Sequence, residues 1–135
     1  MPDLVSHAAS AFVFRNFFLK LKICQGSYFL ILLLGVFLPD FVSRGSMLVI
    51  PEFFLVAQFF HTPLGCFIQT LLISCLFVRE QRTLVFVAVT VGWILHQVFD
   101  AFQITVGPGY YYFFWPLYKE ALGLDLFFAK NWYYV

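Results

Sequence analysis

Residues Thr83–Thr105 read TLVFVAVTVGWILHQVFDAFQIT. At roughly 20 residues, such a stretch crosses a hydrocarbon core of about 30 Å as a single helix. Arg79, Glu80, Gln81 and Arg82 precede it, and Gly107-Pro108-Gly109 ends it with breaker chemistry. Its polar residues crowd into the C-terminal half: His96, Gln97, Asp100 and Gln103. His96 and Asp100 are four apart, which places them on one face of a helix. Ionisable groups are costly inside a bilayer, and their presence points to function by default.

Working outward, three further apolar segments appear. Leu4–Leu19 carries His7 and Arg15, ends at Lys20 and Lys22, and barely reaches across a bilayer. Ser27–Leu38 is strongly apolar and is closed by Pro39-Asp40, because proline biases its predecessor away from helical dihedrals. The polar patch Ser43-Arg44-Gly45-Ser46 follows. A third segment runs from Pro51 to about Val78 and is interrupted at Pro63. Thr62-Pro63 reads as an N-cap with proline at the first helical position, so the span proper is Leu64–Val78. Beyond Pro108, the run Tyr110–Trp115 reads as interfacial or re-entrant, and Leu117–Val135 as a short amphipathic helix.

Composition agrees with lipid as the solvent. The chain of 135 residues is 62% hydrophobic and 11% charged, with 20 Phe, 7 Tyr and 3 Trp. A soluble domain of this size cannot bury so much apolar surface. The apolar runs are continuous, not alternating, which disfavours a β-barrel. A net charge of +1 with no basic stripe argues against nucleic acid. Cys24, Cys66 and Cys75 are scattered, so neither a disulfide framework nor a thiolate zinc site is indicated. No basic n-region precedes the first apolar stretch, so it is not read as a signal peptide. The expectation is an all-α, polytopic helical membrane protein of about four transmembrane or re-entrant helices, one domain over 1–135.

Threading the spans alternately brings His7, Asp40, His61, His96 and Asp100 to one side of the membrane. Histidine with aspartate is ordinary ligand chemistry for zinc, and for manganese or iron. His7, His61, His96 and Asp100 are therefore the candidate ligands of a divalent metal ion, zinc ahead of manganese or iron. Asp40 is a further ligand or a general base, or else a solvated turn residue. Arg44 suits an anionic substrate or a lipid phosphate, or else snorkels to the interface. Set against the metal reading, His96 and Asp100 could form a hydrogen-bonded pair that locks helices together. Gln97 and Gln103 read as helix–helix glue. Glu52 reads as compensation of a helix N-terminus more than as a base. No His-Glu-x-x-His and no Gly-x-Ser-x-Gly occurs, which leaves zincin and serine-hydrolase chemistry unsupported.

The ordered set of motifs resembles a family of small bacterial and archaeal inner-membrane proteins described as membrane-bound metal-dependent hydrolases. The resemblance lies in Met1-Pro2-Asp3-Leu4-Val5-Ser6-His7, Leu38-Pro39-Asp40, Ser43-Arg44, His61-Thr62-Pro63-Leu64-Gly65 and His96-x-x-x-Asp100-Ala101-Phe102-Gln103. Gly107 and Phe114-Trp115-Pro116 follow. Phe41 and Val42 depart from it, standing where many relatives carry more polar residues, a histidine among them. The resemblance implies a prokaryotic inner-membrane hydrolase. The position of the polar residues at a membrane edge points to a lipid-like ester or phosphoester as substrate. The alternative is a non-catalytic metal-binding or structural membrane protein, an assembly or ion-handling factor. A transporter is less expected, since the chain has no internal repeat and would have to oligomerise.

Overall fold

The computed structural model describes residues 4–49 and 54–102, and every element among them is helical. The order is α1 (Leu4–Phe17), a 3-10 turn (Lys22–Cys24), α2 (Gly26–Val49), α3 (Phe54–His61), α4 (Pro63–Cys75) and α5 (Arg79–Phe102). Glu52, Gln103, the Gly107-Pro108-Gly109 break, the aromatic run and the tail lie outside the described residues.

Helices α2 and α5 have 24 residues each, about 36 Å of rise, more than a hydrocarbon core requires. Among the described residues, they are the two helices long and apolar enough to cross a membrane. The other described helices are shorter, α1 with 14 residues and α4 with 13. The third segment ends earlier than Val78. Leu76 is the C-cap of α4, its N–H donating to Ile73 O at 3.0 Å. Arg82 then seals the exposed carbonyls, with Nε donating to Phe77 O (3.0 Å) and Nη2 to Cys75 O (3.4 Å). A cation there also suits the negative end of the α4 dipole.

The expected stop at Pro39-Asp40 is corrected: α2 runs through Pro39 to Val49. Pro39 forfeits one hydrogen bond. Ending the helix there would leave several carbonyls of its last turn without partners, a larger loss. Downstream, Ser43 Oγ donates to Asp40 O (3.3 Å), and Ser46 Oγ donates to Val42 O (2.8 Å) and Ser43 O (2.9 Å).

Helices α2 and α5 cross backbone to backbone at two glycines. A Cβ on Gly35 would lie 2.5 Å from Val89 O, and one on Gly92 would collide with Leu32 O. Close approach through small residues is how helices gain packing where lipid offers no hydrophobic drive. Leu32, Val36, Val85, Ala88 and Val89 fill this seam, with Ala11 from α1 against it. Elsewhere the pattern reverses what water selects. Leu30, Leu34, Leu72, Ile94 and Val98 face outward, while His7, Asp40, Gln69, Thr70, His96, Gln97 and Asp100 are buried. The interior is polar near one end of α5, and that end holds the site.

Candidate metal centre

Four helices deliver the polar residues. His7 lies in the second turn of α1, Asp40 follows the proline of α2, His61 is the last residue of α3, and His96 and Asp100 come from α5. The α3–α4 corner that aims His61 is built by its own sequence. Thr62 is extended (φ −77°, ψ 157°), and its Oγ1 accepts from Gly65 N–H at 3.2 Å while donating to Phe59 O at 2.8 Å. A Cβ on Gly65 would strike Phe59 O, so only glycine lets α4 start so close to α3. The carbonyls at the end of α3 are then taken up by side chains. Gln69 Nε2 donates to Phe60 O (2.7 Å), and Gln97 Nε2 donates from α5 to His61 O (2.7 Å).

The ring nitrogens and carboxylates converge. His61 Nε2 stands 3.0 Å from His96 Nε2. Asp100 Oδ2 is 3.2 Å from His61 Nε2 and 3.1 Å from His96 Nε2. Asp100 Oδ1 faces His7 Nε2 at 3.5 Å. Asp40 Oδ1 is 3.3 Å from His61 Nε2, and its Oδ2 is 3.4 Å from Arg44 Nη2. His7, His96, Asp40 and Asp100 are buried; His61 is 12% exposed and Arg44 43%. The cluster thus has a rim, and His61 and Arg44 form it.

Two overlapping groups, His61/His96/Asp100 and His7/Asp40/His96, each bring three ligand atoms within 4.8 Å of one another, donor sets that could hold a metal ion. The chemistry of the donors fits. Asp40 pairs with the guanidinium of Arg44, while Asp100 faces the imidazoles of His7, His61 and His96, and buried charge needs compensation. Both ring nitrogens of His7, both carboxylate oxygens of Asp40, His96 Nδ1 and Asp100 Oδ1 make no hydrogen bond among the described residues. A helix-locking polar network would satisfy its members with aligned hydrogen bonds; here His7–Asp100, Asp40–His61 and Asp40–Arg44 are close, at 3.3–3.5 Å, without that alignment.

All of His7, Asp40, His61, His96 and Asp100 are therefore brought together, with Arg44 at the edge. Gln97 has a role beyond gluing helices: it holds the backbone of His61 from the position next to His96. Its place beside a candidate ligand was the available signal. The support from Gln69 had none, because nothing in the sequence says which carbonyl a glutamine will meet. No protein-family model, curated protein or solved structure matches the chain.

Proposed function

We propose that this protein is a membrane-embedded, divalent-metal-dependent hydrolase acting on an amphiphilic ester or phosphoester. On this reading it sits in a prokaryotic inner membrane, with α2 and α5 as full spans and α1, α3 and α4 as shorter elements packed beside them. The observation that carries the reading is the triangle of His61 Nε2, His96 Nε2 and Asp100 Oδ2, with edges of 3.0, 3.1 and 3.2 Å. Ligand atoms at about 2.0–2.2 Å from one ion stand roughly 3 Å apart on an octahedron and about 3.3–3.6 Å apart on a tetrahedron, so the triangle would open by only a few tenths of an ångström to take zinc. Two histidines and a carboxylate form a donor set with positions left over, the arrangement of catalytic sites more than of closed structural ones. Zinc suits the set best, with manganese or iron next.

A divalent ion held there supplies Lewis-acid charge and a water acidic near neutrality. The remaining work falls to the protein. Asp40 faces the same centre, as a further ligand or as the base that takes the water's proton. Arg44, held against Asp40 and open to the rim, would pair with the anion that develops as water oxygen bonds to phosphorus or acyl carbon. The alcohol then departs with a proton. The exposed His61–Arg44 edge favours the enzyme over the non-catalytic alternative, which would be served by a sealed site.

The test is turnover. Purified protein in mild detergent, loaded with zinc or manganese, is offered chromogenic lipid phosphoesters and esters. Metal-dependent hydrolysis that chelator abolishes and Arg44→Ala weakens is expected. Fully metal-loaded protein that turns over neither class would overturn the hydrolase reading and leave the non-catalytic one.

A further inference from the structure

The donor set is larger than one ion needs, and its two halves have different geometry. The rings of His61 and His96 have centroids 5.0 Å apart and planes 69° apart. That is how two imidazoles diverge from a shared ion. The rings of His7 and His96 are stacked instead, 4.1 Å apart with planes only 24° apart. Both send Nε2 to the same carboxylate, but to different oxygens: His96 to Asp100 Oδ2 at 3.1 Å, His7 to Asp100 Oδ1 at 3.5 Å. Rings that lie side by side carry their lone pairs side by side. With planes only 24° apart their nitrogens point along nearly parallel lines, which suits two neighbouring ions better than one. Paired catalytic ions sit about 3.5–4 Å apart, close to the stacking distance.

We propose that the cluster is a two-cation centre bridged by Asp100. One divalent ion takes His61, His96 and Asp100 Oδ2. The second takes His7 and Asp100 Oδ1, with Asp40, which lies in one ligand group with His7 and His96. The donors assigned to the second ion, His7 Nε2 and Asp100 Oδ1, face each other at 3.5 Å without an aligned hydrogen bond, a separation two ligands of one ion can have. The inference rests on the metal reading proposed above and sharpens it, because Asp40 then serves as a ligand and not as the base.

The experiment is a manganese titration of the full chain in detergent, followed by elemental analysis and electron paramagnetic resonance. Wild type should saturate at two ions per chain and give a spin-coupled multiline spectrum. His7→Ala should bind half as much manganese, with the spectrum of isolated ions. His7→Gln, which keeps a polar side chain of similar reach, should behave the same way with an unchanged melting temperature. Wild type saturating at one uncoupled ion, with both His7 variants binding as wild type does, would overturn the two-cation centre and leave the single site standing. No binding by wild type at all would overturn both.

Discussion

The Nε2 atoms of His61 and His96 stand 3.0 Å apart, although 35 residues separate them in the chain. Two imidazole nitrogens at that distance, with a carboxylate oxygen 3.1–3.2 Å from each, form a triangle that a proton or a divalent cation could occupy. Around that triangle His7 Nε2 pairs with Asp100 Oδ1 at 3.5 Å, and Asp40 pairs with His61 at 3.3 Å and with Arg44 at 3.4 Å.

Gln97 is expected to tune the site without touching it. Its Nε2 anchors His61 O, so Gln97→Leu frees the α3 terminus and leaves a buried carbonyl unpaired. Losses of this kind lower metal affinity by about 10–100-fold. Competition titration with a chromophoric chelator reads the change. Unchanged affinity in Gln97→Leu would reduce the residue to packing.

Thr62→Ala removes the hydroxyl that accepts from Gly65 N–H and donates to Phe59 O. Loss of an N-cap costs about 1 kcal/mol, and His61 sits on the loosened corner. Both the melting temperature and cation affinity should fall, and Thr62→Ser should restore most of each. The checks are thermal denaturation in detergent and the same chelator titration.

At the α2–α5 crossing, Gly92→Ala places a methyl against Leu32 O and the backbone of Gly35. Neither helix can yield locally, so overpacking of about 1–3 kcal/mol is expected, and Gly92→Leu should abolish the folded state. Gly45 has no atom near its Cβ direction, so Gly45→Ala is the control, with no loss of stability.

The thiols should separate by accessibility. Cys75 is exposed, whereas Cys24 is buried in the core against Ile23 and Phe29. Burial raises the Cys24 thiol above its ordinary pKa, and Arg15 only partly offsets it. The thiolate is the reactive form, so at neutral pH a water-soluble maleimide should label Cys75 first. Labelling of Cys24 should climb as pH rises. Mass spectrometry of the modified peptides reads both.

Much of the site was legible in advance because it obeys local spacing. His96 and Asp100 share a helix face by being four apart, and Thr62-Pro63 announces the start of α4, which the structure has at Pro63. Pro39 misled because its effect is decided by surroundings: it forfeits one hydrogen bond, whereas ending α2 there would free several carbonyls at once, so the helix runs through. Gly35 and Gly92 carried no signal either. A glycine within an apolar run does not say which helix it meets, and their partnership appears only once α2 and α5 are laid together.

The most direct measurement is the metal content of untagged protein purified in mild detergent, read by elemental mass spectrometry beside His61→Ala and Asp100→Asn. At least one divalent ion per chain in wild type is predicted, with most of it lost in both variants while their helical circular dichroism is kept. Wild type without metal, even after reconstitution with zinc, manganese and iron, would contradict the account and return the three histidines to helix packing.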